Sequence, residues 1–284
     1  MLSSSYPLVR GYSQDLFQHQ SAGIVSVAHV AMPVSLQGEL RKLGYATYGA
    51  VGGGFIDASF GFSSGYDWYW SPPTDRPTFF DDQLAALKQR LSAASSAPFF
   101  LLLHTHQTHN YLQGQGDRAG DFGHGYTGRL RDKKVLFATI TGGVSRGLSP
   151  ADLQYLRDLY DGELRETDQL LGQFFGWLLA QPWGKNTVVM LTADHGEAFG
   201  EHGLLNHGFA PYRVLSHVPL LLHFPDRAHR GLRVKAPVAS ADIMPTLLEI
   251  GRYGRSTKSN GHWRTLFGGR NNPARGDGLL GGTR

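Results

Sequence analysis

Three short, unbroken apolar runs set the tightest limit on how this chain can fold: Phe99 to Leu103 (FFLLL), Thr187 to Thr192 (TVVMLT) and Pro219 to Phe224 (PLLLHF). A strand with one wet face alternates apolar and polar residues; a continuous run belongs to a strand covered on both faces. The cover is present in the same sequence. Leu36 to Leu43 (LQGELRKL) has the spacing of an amphipathic helix stopped by Gly44, and the β-prone Tyr45 to Val51 (YATYGAV) follows it. Asp81 to Ala94 opens on acid and repeats Leu84, Leu87 and Leu91 at helical spacing. Ser149 and Pro150 make an N-cap and first-turn pair. Leu153, Leu156, Tyr160, Leu164, Thr167, Leu171, Phe174 and Leu178 then recur at threes and fours, which predicts a helix of about 30 residues ending before Pro182. Helix and strand signals therefore alternate, and the expected fold is α/β: a three-layer sandwich with a central, mostly parallel β-sheet. Gly52 to Pro77 and Gly114 to Thr141 lack any period and read as loops, as does the tail after Phe267.

Composition removes several function classes. With 284 residues, 41% of them hydrophobic, the chain can bury one large core. Its net charge is only +4 and its Lys and Arg residues form no long run, so nucleic acid is not an expected partner. The longest apolar run, Pro98 to Leu103, falls far short of the roughly 20 residues a membrane span requires. Residues 1–20 have no basic start followed by an apolar stretch and do not read as a signal peptide, although an export signal upstream of a missing start leaves localisation open. Without cysteine there is no disulfide, thiolate metal site or cysteine nucleophile.

Histidine carries the first pointer to chemistry. Of 13 histidines, His104, His106, His109, His195, His202 and His207 fall in two short stretches. In α/β sheets ligands gather at the carboxyl ends of strands, and the run Thr187 to Thr192 exits directly into Asp194-His195-Gly196-Glu197. Carboxylate oxygen and neutral imidazole nitrogen are ordinary ligands of Mn, Zn or Fe, so Asp194 and His195 can hold one ion if the backbone turns between them. The same tripeptide also suits an N-cap Asp beside a surface His. Asn206-His207 returns through a Gly-rich loop, and a histidine there can protonate or stabilise a leaving oxygen near neutral pH or simply serve as a hydrogen-bonded loop residue. Of the three histidines that leave the run ending at Leu103, one is expected to serve a site and two the scaffold, His109 being the best placed.

Several segments, in order, resemble the sulfatases and related phosphate and phosphonate monoester hydrolases of the alkaline phosphatase superfamily. Leu191 to Pro225 (LTADHGEAFGEHGLLNHGFAPYRVLSHVPLLLHFP) is the most specific. Pro98 to Tyr111 (PFFLLLHTHQTHNY), Tyr160 to Leu171 (YDGELRETDQLL, with Asp168), Pro237 to Gly251 (PVASADIMPTLLEIG) and Leu36 to Tyr69 are similar too. The resemblance implies that Asp194 and His195 bind a divalent ion, Ca²⁺ or Mn²⁺ with Zn²⁺ as a further option, and that His207 and His109 contact the ester near its leaving oxygen. A His beside Asp194, where many sulfatases place Asn beside calcium, suits the softer Mn or Zn.

The family pattern is not matched everywhere. The Asp pair that completes its metal site, at the end of its first strand, has no counterpart before residue 30. The nucleophile position, often formylglycine, is met only loosely by Ser5 in Ser5-Tyr6-Pro7-Leu8-Val9-Arg10. The expectation is a partial hydrolase domain over residues 1–267 without its first strand, and residues 268–284 as loop or the start of a truncated C-terminal subdomain. Hydrolysis of small-molecule or glycan sulfate esters is the leading function. Phosphate or phosphonate monoester hydrolysis is the alternative, and a catalytically inactive fragment or binding remnant the third.

Overall fold

The computed structural model describes residues 34–73, 79–93, 98–113, 122, 125–207, 210–226 and 229–253, so Ser5 and residues 268–284 lie outside it. The described residues divide into two compact units, one lying within Met1–Ser71, Gln89–His104 and Arg233–Arg284, the other within Pro72–Lys88 and Thr105–Leu232.

In the first unit, Ser35 starts helix α1 (Leu36–Lys42) by accepting a hydrogen bond from the Gly38 amide at 3.2 Å, and Gly44 leaves it at a φ of 82°. Strand β1 (Ala46–Val51) is the centre of a three-stranded parallel sheet in the order β2 (Trp68–Trp70), β1, β3 (Phe99–His104), with Tyr48 opposite Trp68 on one side and Leu101 on the other. Both faces of this sheet are covered, as its sequence required. Phe100 packs with Leu36 and Leu40 of α1 and with Met244 and Leu247 of the last helix, Ile243–Tyr253. On the opposite face the Arg90 guanidinium, near the end of helix α2 (Phe80–Ser92), lies 4.9 Å from the Tyr48 ring centre. Strand β2 falls inside the stretch expected to be loop. Three aromatic residues are too short a run to show a period, yet they fit here because Gly49 has no Cβ: one built there would sit 2.5 Å from a Tyr69 ring carbon.

The second unit is built around helix α4 (Pro150–Ala180). Strand β4 (Val189–Thr192) pairs with β7 (Leu220–His223), antiparallel, and a hairpin of β5 (Ala198–Phe199) and β6 (Leu205–Asn206) stands beyond β4. Part of the second expected loop is helix α3 (Lys133–Thr141). Asp132 caps it through the Lys134 and Val135 amides at 2.8 and 3.1 Å, and Leu136 and Ile140, four residues apart, are buried. These two pack with Tyr111, Leu130, Leu156, Leu159 and Leu205 into one core. The inward stripe of α4 also differs from expectation. Leu164 is 47% exposed, and the buried face passes through Leu159 and Glu163, whose carboxylate is acceptable there because the Gln107 amide donates to it at 2.7 Å. Asp168 is exposed on the same helix. Among the described residues no helix is long and apolar enough to cross a membrane.

The start of α4 is a full capping box. The Ser149 hydroxyl accepts from the Asp152 amide at 3.1 Å, the Ser149 amide donates to Asp152 Oδ2 at 2.8 Å, and the Tyr126 hydroxyl donates to Asp152 Oδ1. Ser149→Ala should cost about 1 kcal/mol in urea unfolding at pH 7. The Tyr126 and Ser149 hydrogen bonds hold the Asp152 carboxyl below its ordinary range. Their stabilisation is complete above the ordinary carboxylate pKa of about 4 and disappears as pH falls through the lowered folded value. The stability gap between the wild type and Asp152→Asn should therefore close in acid; a gap independent of pH would refute the assignment.

Candidate active site

Every residue of the site belongs to the second unit, and a glycine sets its geometry. Beyond β4 the chain runs through Asp194 and His195 to Gly196, whose amide donates to the Leu215 carbonyl at 2.7 Å; a Cβ on Gly196 would lie 2.1 Å from the Val214 carbonyl oxygen. No other residue fits this close approach without moving the backbone. The turn sends Glu197 inward, where its side chain is 7% exposed. The hairpin then brings the chain back: Ala198 pairs with Asn206, so Glu197 and His207, the residues just outside the ladder, meet with Glu197 Oε2 2.9 Å from His207 Nδ1. Arg157 of α4 anchors the hairpin by donating to the Phe199 carbonyl at 2.8 Å. From a second direction the 3₁₀ segment Gln107–Gln113 brings the His109 ring edge-on to His207, with centroids 5.1 Å apart. His195 stacks on His207 at 4.0 Å, and His106 on His109 at 5.7 Å. The result is a row of four imidazoles flanked by two carboxylates.

Hydrogen-bond partners assign the ring nitrogens. His195 Nδ1 lies 2.8 Å from the Gly196 carbonyl, an acceptor only, so Nδ1 carries hydrogen, and in the neutral ring the lone pair is on Nε2. The Glu197 carboxylate imposes the same arrangement on His207. Burial, and then the neighbouring His207 and His106, push His109 below the ordinary histidine range, so it is neutral at pH 7. Tyr111, 2% exposed and boxed by Tyr160 and Phe199, has its hydroxyl raised far above the usual tyrosine range by burial first and the Glu197 carboxylate second. It stays protonated. The hydroxyl faces that carboxylate, yet Glu197 Oε1 is buried without a hydrogen bond of full geometry among the described residues.

This donor set fits a divalent ion. His195, Glu197 and His207 each offer one ligand atom within 4.8 Å of the others. Asp194 Oδ2 approaches His195 Nε2 to 3.8 Å, a span one ion can bridge with bonds of about 2.0–2.2 Å, while Asp194 Oδ1 accepts from the His195 amide at 3.0 Å and leaves Oδ2 available to the ion. The mixed carboxylate and imidazole ligation that Asp194 and His195 offer suits Mn or Zn, while the Glu197 carboxylate is engaged by His207 and faces the Tyr111 hydroxyl.

Of the residues singled out from sequence, Asp194, His195, His207 and His109 are brought together. His104 ends β3 in the other unit, and His202, in the hairpin turn at a φ of 57°, stacks on Tyr212 at 3.8 Å. Glu197 and Tyr111 were not singled out. The available signal for Glu197 was its place two residues after His195 across a glycine, which lets a turn put both on one side.

Removing either candidate ligand should weaken ion binding whatever the natural reaction is. Asp194→Ala and His195→Ala should each lower Mn²⁺ and Zn²⁺ affinity about tenfold or more in calorimetric titrations, and Gly196→Ala should do so too by displacing the turn. Unchanged affinity in His195→Ala would exclude it as a ligand.

Residues 10–253 match the family model described as Sulfatase. A 126-residue stretch, 44% of this chain, is 30% identical to Arylsulfatase K of Danio rerio, of which it covers 24%. Among solved structures, a 2-O GAG sulfatase matches with a TM-score of 0.62 at 17% identity, over 88% of this chain and 58% of that one. The phosphonate monoester hydrolase of Agrobacterium radiobacter matches with a TM-score of 0.59 at 17% identity, over 77% and 58%. The fold is thus the α/β fold of these proteins, and the aligned stretch spans about a quarter of the length of the curated relative.

Proposed function

The chain belongs to the sulfatase family, within the alkaline phosphatase superfamily, and from that premise we propose that it carries the histidine-bearing part of a site that hydrolyses sulfate monoesters of small molecules or glycans. The observation that supports this reading most is the convergence, at the carboxyl end of β4, of Asp194 and His195 with the edge-on pair His207 and His109. A divalent ion held by Asp194 and His195 would neutralise the non-bridging oxygens of the ester and activate the nucleophile. The other side chains act on the departing oxygen. As the nucleophile bonds to sulfur and the S–O bond to the alcohol breaks, the electron pair of that bond goes to the departing oxygen, and protonated His207 can give it the proton on Nε2 while Nδ1 stays on Glu197. Neutral His109 beside it offers a second hydrogen bond to the same oxygen. The nucleophile belongs to a segment outside the described residues, where Ser5 remains the candidate. The glycan class is suggested by the likeness to a 2-O GAG sulfatase.

A second reading, phosphonate or phosphate monoester hydrolysis, has its own support: His195 beside Asp194 suits Mn or Zn, and the fold is shared with a phosphonate monoester hydrolase. Rates on 4-nitrophenyl sulfate, 4-nitrophenyl phosphate and a phenylphosphonate monoester, each with Mn²⁺, Ca²⁺ and Zn²⁺, separate the two. Sulfate should be cleaved fastest, and His207→Ala and His109→Ala should each lower kcat by about 10²–10³. Faster phosphonate cleavage would transfer the assignment to the second reading. No turnover of any ester would overturn both.

A further inference from the structure

Resting on the reading that His207 faces the departing oxygen, we propose that Glu197, backed by the buried hydroxyl of Tyr111, is a positioning residue that decides which ring nitrogen of His207 meets the substrate. The Glu197 carboxylate only accepts hydrogen bonds, and its Oε2 lies 2.9 Å from His207 Nδ1, so the hydrogen of the neutral ring sits on Nδ1 and Nε2 is turned away from Glu197. Glu197 has little freedom to do otherwise. Its side chain is almost fully buried, the preceding Gly196 is clamped to the Leu215 carbonyl, and the following Ala198 is fixed in the hairpin ladder. Tyr111 closes the space behind it. Its ring is held edge-on to Tyr160 at 5.6 Å, which keeps a protonated hydroxyl facing the carboxylate.

The arrangement saves a step. His207 donates as the imidazolium: with Nδ1–H held by Glu197, a proton taken up from water goes to Nε2, and when Nε2 gives it to the leaving oxygen the ring returns to the same Nδ1–H form with no exchange between nitrogens. An amide in place of the carboxylate can turn its NH₂ toward Nδ1 and move the ring hydrogen to Nε2. The same NH₂ would then face the Nδ1–H that the imidazolium must carry, so the amide disfavours the proton-donating form of the ring as well.

The test reads the tautomer directly, independent of turnover. Long-range ¹⁵N–¹H correlation spectra of the uniformly ¹⁵N-labelled chain, with His207 identified by its loss in His207→Ala, should show hydrogen on Nδ1 in the wild type and in Glu197→Asp, and on Nε2 in Glu197→Gln. With the best ester found above, Glu197→Gln should lose about a hundredfold or more in kcat with KM changed less than about threefold, and Glu197→Asp should recover part of the loss. Hydrogen on Nε2 in the wild type overturns the proposal even if Glu197→Gln fails to fold. An unchanged tautomer in folded Glu197→Gln also overturns it, as does Zn²⁺ removing the Nδ1–H signal by taking His207 and Glu197 as ligands. The expected tautomers in a chain that cleaves no ester would support the positioning role while the sulfatase reading falls.

Discussion

A carboxylate buried as deeply as Glu197 has to be met by donors or a cation, because an ionised group removed from water without partners costs several kcal/mol. Most of the site's construction answers that demand. Gly196 aims the side chain inward because nothing larger fits against the Val214 carbonyl. A hairpin with only two residues in each strand returns His207 to it, and Arg157 holds that hairpin to α4. Tyr111, Tyr160 and Phe199 wall off the rest from water. A two-residue ladder contributes little stability by itself, so the hairpin relies on the Arg157 hydrogen bond and on Leu205 in the core as much as on its own pairing.

A second buried carboxylate fixes the opposite wall. Glu163 on α4 accepts from Gln107, the first residue of the 3₁₀ segment that carries His109 and Tyr111. Two anchors on one helix, Glu163 for this segment and Arg157 for the hairpin, therefore place His109 and His207 relative to each other. The capping box at Ser149 matters to function for this reason, since it fixes where that helix begins.

Much of this was legible in the sequence, with limits that have physical causes. The apolar runs gave β3, β4 and β7, although the expected cover on both faces is not met in β7, where Leu221 is 58% exposed among the described residues, and α4 was plain from its period and caps. The antiparallel pairing of β4 with β7 was not, since a buried strand looks alike in either direction. Trp68–Trp70 escaped because three residues show no period, and Lys133–Thr141 because one helix was hidden in a Gly-rich neighbourhood. Asp194, His195, His207 and His109 were expected to share a site from histidine clustering and family resemblance, and the fold does bring the four together. Glu197 and Glu163 were missed for a common reason. Acidic residues are ordinarily solvated, and only the fold reveals the partners, His207 and Gln107, that make their burial tolerable.

The charges in the cluster bear on which ester it suits. Asp194 and Glu197 bring two negative charges, a divalent ion would offset them, and His207 can add one positive charge when protonated. His109 adds none at neutral pH, because burial and the adjacent imidazoles of His207 and His106 disfavour its cation. The set as a whole then balances a single negative charge on the substrate. Sulfate monoesters and phosphonate monoesters carry one such charge. Phosphate monoesters, with a second pKa of about 6, carry nearly two at pH 7. Under the proposed hydrolase reading, the crowding of these four imidazoles limits how much anionic charge the described part of the site can neutralise, which is an argument for singly charged esters over doubly charged ones.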